Sequence, residues 1–176
     1  EILPLIDGIR LPDVRTRVHE YGGRAYAVSD GFIVFSDGFD GRVYAFNTRD
    51  PRRQLVPLTP LGKVRYGDFE IADVRGLVYA VAEDHSNPGE PVNSLVAIPL
   101  DGRAARNAFE IIPIFGGSDF VSSPTLSPDG TKLAWLSWNH PNMAWTRSAL
   151  HVGSLDFEGK IAASLILVDK PEVCVY

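Results

Sequence analysis

Three stretches of the chain repeat one pattern: an apolar strand, a tight turn ending in glycine, and a second, more strongly apolar strand. The strand pairs are 25–28 with 32–35, 69–72 with 77–81, and 124–126 with 133–136. The turns between them are Ser29-Asp30-Gly31, Asp73-Val74-Arg75-Gly76 and Ser127-Pro128-Asp129-Gly130. After each pair come a polar loop, a third strand (42–46, 94–98, 149–155), a further turn and an edge-like fourth strand (54–58, 110–114, 162–168). The turn glycines Gly31, Gly76 and Gly130 stand 45 and 54 residues apart, a period that suits four-stranded propeller blades with elongated loops. The pattern predicts an all-β fold, a partial β-propeller of about three four-stranded antiparallel blades. A β-sandwich also carries short strands at regular spacing, but it does not predict the same four-strand order three times.

Glycine at the turn supplies the positive φ that a short hairpin connection needs. With 45% apolar side chains the chain can bury a core, and 16 Gly with 13 Pro suit many short strands joined by many turns. The repeat divides the chain into a lead-in (1–17) and blades at 18–62, 63–115 and 116–176. A propeller closes its ring with roughly four to eight blades, so three leave lateral faces and strand edges open. Self-association through those edges, or marginal stability, is the expectation. The sequence starts at Glu1 and stops inside the apolar run Val173-Cys174-Val175-Tyr176, and both ends read as cuts through a longer polypeptide.

A formal net charge of -5, with no Lys/Arg run interleaved with aromatics, argues against a nucleic-acid partner. No apolar stretch approaches the ~20 residues that span a bilayer, so no membrane partner is expected. Cys174 is the single cysteine, which rules out an intrachain disulfide or a cysteine-based zinc site and suits a reducing, cytoplasmic setting. No cofactor and no metal are expected. His85 and His140 fall in different blades, and Asp84, Asn87 and Glu90 do not follow the spacing of a calcium loop.

The segment from Ser122 to Trp135, with Ser127-Pro128-Asp129-Gly130 at its centre, resembles the WD40-like repeat found in periplasmic translocation propellers and in prolyl-oligopeptidase-type propellers, and alone it signals only a propeller. Val18-His19-Glu20-Tyr21-Gly22-Gly23, Glu83-Asp84-His85 and Trp138-Asn139-His140-Pro141-Asn142-Met143-Ala144-Trp145 narrow the likeness. Together they are similar to the N-terminal propeller of bacterial dipeptidyl aminopeptidase and acylaminoacyl-peptidase enzymes in the prolyl oligopeptidase family. The resemblance implies a parent serine peptidase in which the propeller precedes an α/β-hydrolase domain and gates peptide substrates. The chain itself has no Gly-x-Ser-x-Gly nucleophile elbow, so no catalytic residue is assigned to it. The partners so implied are that hydrolase domain and a peptide.

In an antiparallel four-stranded blade, the loops between strands two and three share one rim with the links to the next blade, and the glycine turns lie on the other. His85 follows Gly76 by 9 positions and His140 follows Gly130 by 10, so both fall in equivalent loops. His19, Glu20 and Tyr21 are read as preceding a first strand, as are Arg65 and Tyr66, and Ser118 and Asp119. With Trp145, the residues His19, Glu20, Tyr21, His85 and His140 are the candidates for contact with substrate or with the hydrolase domain. The plainer readings are a turn locked by Gly22 and Gly23, and histidines that bond loop backbone and hold long loops in shape. Two other functions compete: a standalone propeller scaffold for protein interaction, and a metal-dependent lactonase with Asp68 and Glu70 as its nearest carboxylates.

Overall fold

The computed structural model describes residues 5–6, 9–52 and 54–169; Cys174 and the apolar run at 173–176 lie outside them. A two-stranded pair, β1 (Leu5–Ile6) and β2 (Ile9–Arg10), precedes three antiparallel sheets of four strands each. Blade one is β3 (Tyr26–Ser29), β4 (Phe32–Ser36), β5 (Val43–Asn47) and β6 (Leu55–Pro57). Blade two is β7 (Val64–Ala72), β8 (Leu77–Asp84), β9 (Val92–Pro99) and β10 (Ile112–Phe115). Blade three is β11 (Phe120–Leu126), β12 (Lys132–Trp138), β13 (Ala149–Leu155) and β14 (Ile161–Val168). Within each sheet the strands pair in chain order. The protein is thus three propeller blades, all-β apart from short 3-10 turns.

The middle blade is covered on both faces, and this explains its sequence. Alternate residues Val78, Ala80, Ala82, Val96 and Ile98 pack with Val34, Val43, Ala45 and Leu58 of blade one. The intervening Leu77, Tyr79, Leu95 and Ala97 pack with Leu133 and Trp135 of blade three. A strand buried on both sides reads as a continuous apolar run, because each face must be hydrophobic, and β8 is buried from Leu77 through Glu83. Burying one such Val or Leu stabilises the fold by about 1.5–3 kcal/mol. Blade one is more open, and Tyr26 and Val28, which share the outer face of β3, are exposed.

Two inner strands begin earlier than their sequence pattern predicts. Arg65 and Tyr66, expected before a first strand, lie inside β7, and Phe120 opens β11. Each strand carries a bulge that interrupts the alternation, between Gly67 and Glu70 in β7 and between Ser122 and Thr125 in β11. Asp68 and Ser123 take left-handed φ values of 52° and 56° at these bulges, where an extra residue breaks the two-residue period.

The Asp68 bulge joins all three inner strands. Its Oδ1 accepts from the Arg24 amide at 2.8 Å, its Oδ2 accepts from the Ser123 amide at 3.1 Å, and its own amide donates to the Arg24 carbonyl at 2.9 Å. Gly23 must lack a side chain here, since a Cβ would fall 2.7 Å from Asp68 Oδ1. Glu70 Oε1 accepts from the Leu126 amide at 3.0 Å. On the glycine-turn rim, Arg75 donates to the Asp156 and Gly130 carbonyls at 2.6 and 3.0 Å, tying the turns of blade two to those of blade three.

Candidate functional site

On the opposite rim a buried carboxylate ties the turn ahead of β3 to blade two. Glu83 closes the apolar run of β8 and is 2% exposed. A charge at that depth is tolerated only when paired and hydrogen-bonded, and Glu83 has three donors. Its Oε2 accepts from the His19 amide at 2.7 Å, and its Oε1 is within 2.6 Å of His85 Nε2 and 3.2 Å of Arg65 Nη1. The same Arg65 nitrogen donates to Glu20 Oε1 at 2.6 Å and to the Arg17 carbonyl at 3.1 Å. The Arg65 guanidinium beside it holds the Glu20 carboxyl below its usual range.

Oxygens of Glu20 and Glu83 and a ring nitrogen of His85 lie within 4.8 Å of one another, a spacing that suits a cation. Arg65 already supplies the positive charge there, and an ion would have to displace it. The turn that delivers Glu20 is tight. His19 and Glu20 are consecutive non-glycine residues with φ of 54° and 65°, a conformation that costs roughly 1–3 kcal/mol per residue and persists only where the surroundings enforce it. The His19–Glu83 bond and the Gly22 amide, which donates to the Val18 carbonyl at 2.8 Å, do so.

The His19 ring continues the site into blade three. It meets Phe120 and Trp138 edge-on at centroid distances of 5.5 Å each, and Tyr21 at 6.1 Å. Phe120 stacks on Trp138 at 5.3 Å and packs against His140 at 4.9 Å. Burial pushes the His19 imidazole below its ordinary pKa, against the pull of the Glu83 and Asp68 charges and of the neighbouring Asn93 amide. The ring is therefore neutral at pH 7. Its Nε2 and the Asn93 Oδ1 are both buried without a hydrogen-bond partner. Asn93 donates to the Asp119 carbonyl at 2.8 Å. The Asp119 carboxylate accepts from the His140 amide at 2.9 Å and lies 3.1 Å from its Nδ1, and these bonds hold its pKa down.

His19, Glu20, Tyr21, His85 and His140 thus form one continuous cluster that joins the turn ahead of β3 to blades two and three. Trp145 stands five positions beyond His140 on the same loop and is half exposed. Glu83, Arg65, Asn93, Phe120 and Trp138 complete the cluster. Sequence reasoning singled out none of them as site residues, although a carboxylate closing an apolar run is itself a signal of a paired buried charge. Asp68 and Glu70, the carboxylates nearest to a lactonase-like cation site, instead hold the backbone amides of neighbouring blades.

No protein-family model and no curated protein matches the sequence. Solved structures do. A puromycin hydrolase superposes with a TM-score of 0.82 at 33% identity over 92% of this chain, and a puromycin-hydrolyzing peptidase of Mycobacterium tuberculosis with 0.78 at 38% over 92%. The chain belongs to the β-propeller of the prolyl oligopeptidase family. This prolyl oligopeptidase-family propeller spans 26% of the length of each of those two chains. A calcium-binding regucalcin of Agrobacterium tumefaciens, 15% identical with a TM-score of 0.51 over 82% of this chain and 44% of its own, shares the fold alone.

Proposed function

We propose that this chain is the noncatalytic propeller portion of a serine peptidase, and that its loop rim faces an α/β-hydrolase domain of the same polypeptide and filters peptide substrates. The observation that carries the reading is the likeness, at 33–38% identity, to two hydrolases of whose chains this one covers 26%. The chain also lacks a nucleophile elbow of its own. The chemistry would be acyl transfer by a serine nucleophile, a histidine base and an oxyanion hole, all outside these residues. Within the family, the motifs around His19, Glu83 and His140 favour the dipeptidyl aminopeptidase and acylaminoacyl-peptidase type. A single cysteine suits action in the cytoplasm. In this reading the exposed Tyr21 and Trp145 touch the hydrolase domain or the passing peptide, while His85 and His140 set the loops that carry them. A lactonase-like alternative is disfavoured because Asp68 and Glu70 are already engaged.

The test is peptidase activity in the polypeptide that joins these blades to its hydrolase domain. Cleavage of aminoacyl or short peptidyl anilides is expected from that polypeptide and none from the 176-residue chain. Tyr21→Ala and Trp145→Ala should alter the preference between short and long peptides without abolishing cleavage. Cross-links from the hydrolase domain to the glycine-turn rim around Val74 and Asp129, and not to Tyr21, would overturn the placement.

A further inference from the structure

A second concavity opens on the loop rim of blade three, away from the Glu83 cluster. It encloses about 350 Å³ between the link at Ser118, the end of β12, the loop bearing Asn139 and Asn142, and the start of β13. That is the size of a site for a small molecule rather than for one water. Two bonded side chains line it: Ser137 and His151 are 5% and 7% exposed, and the Ser137 hydroxyl lies 2.8 Å from His151 Nε2. His151 is fixed from behind, stacked on Trp135 at 5.1 Å with an interplanar angle of 6°, and packed against Phe115 at 4.9 Å.

The neighbouring Ser148 sets this pocket apart. It is 1% exposed, it lines the same space, and its Oγ has no hydrogen-bond partner. A buried hydroxyl left unpaired costs free energy, and native structures avoid it unless something else completes the bond. Beside it stands Arg147. Its Nε and Nη2 reach the single oxygen Asp169 Oδ1 at 3.4 and 3.2 Å, long contacts that leave the Nη1 donors and the second Nη2 hydrogen over. Asn139 engages its Oδ1 with the Asp119 amide at 2.7 Å, so its Nδ2 is available, and Ser118 adds another hydroxyl. Against these donors the lining offers one charged acceptor, Asp169. A donor-rich pocket with a guanidinium at one side matches an acceptor-rich anion of planar shape.

We propose that this pocket binds a carboxylate group, held by Arg147 and completed by the Ser148 hydroxyl. The same chemistry is offered by a free small acid and by the C-terminus of a peptide, and the two are separable by experiment.

The experiment is titration of the 176-residue chain, followed by amide NMR, with three probes: acetate, N-acetyl-diglycine, and the C-terminal amide of N-acetyl-diglycine. The acids should shift the amides of Asn139, Arg147, Ser148 and His151, and the amide probe should not. Tighter binding of N-acetyl-diglycine than of acetate identifies a peptide C-terminus as the ligand, and equal binding identifies a small acid. Arg147→Gln, on an exposed loop, should weaken binding roughly tenfold through loss of a charge-assisted bond. Ser148→Ala, which removes only the hydroxyl, should weaken it about fivefold, by less than one charged bond. Equal shifts with acid and amide, no shifts with any probe, or unchanged binding in Arg147→Gln would overturn the proposal. Because no hydrolase domain is involved, the outcome is independent of the peptidase reading.

Discussion

The two rims of these blades are built on different principles. The glycine-turn rim is held by side chains that reach backbone: Arg75 spans two carbonyls of blade three, and Asp129 folds its own turn through Ser127 and Thr131. The loop rim is held by a buried charge, a neutral buried imidazole, stacked rings and two consecutive residues in left-handed conformation. The first combines turns that close on themselves, as Asp129 does, with one cation, Arg75, that crosses between blades to backbone carbonyls. The second is made of contacts between residues far apart in the chain, and each one depends on the others. Strain and buried ionisable groups concentrate where function constrains a structure, and the consecutive left-handed pair His19 and Glu20 and the buried Glu83 fall together on the rim proposed to face the hydrolase.

Substitutions test that contrast. Glu83→Ala leaves the Arg65 and His85 side chains and the His19 amide without their common acceptor, and should destabilise the chain by about 3–5 kcal/mol in denaturant unfolding. A loss below about 1 kcal/mol would mean that the loop rim is not organised around this carboxylate. Arg75→Ala removes two bonds to carbonyls and should cost about 1–3 kcal/mol; a loss equal to that of Glu83→Ala would erase the distinction between the rims.

Acid separates the rims by order of loosening. His19 and His151 have pKa values lowered by burial, so the unfolded chain binds their protons first. Their contribution is complete above the ordinary value near 6.5 and is lost as pH falls below it toward the depressed native values. Asp129 is held down to about 2 by Ser127 and Thr131. Its contribution is complete above the ordinary carboxyl range and disappears only as pH falls through about 2. Amide hydrogen exchange at pH 5.5, corrected for intrinsic rates and compared with pH 7.5, should show lost protection around Val18 and Phe120 before Thr131. The reverse order would refute the assignment. The smallest effect is expected from Val74→Ser: the side chain is 97% exposed, and the change should stay within about 0.5 kcal/mol.

The repeat made most of the fold legible. Residues 77–81 are apolar because both faces of β8 are covered, and the glycines that precede the second strands, Gly76 and Gly130, mark each turn. What the pattern hid was polar and distant. The bulges at Asp68 and Ser123 look like loop because they break the two-residue period, so the starts of β7 and β11 were displaced. The candidate site was half legible. Equivalent spacing from Gly76 and Gly130 put His85 and His140 on one rim, but Glu83 meets His19 across 64 positions and Arg65 across 18. Such pairings follow from blade packing, which periodicity alone does not encode.

The carboxylate of Asp68 has a consequence for how these blades come apart. Its two oxygens belong to different neighbours, so peeling away the first blade strips one bond from the middle blade, and peeling away the third strips the other. Neither outer unit can fray without weakening the anchor that the remaining two share. The hub thereby gives three modules, each able to pair its strands alone, a common fate on unfolding.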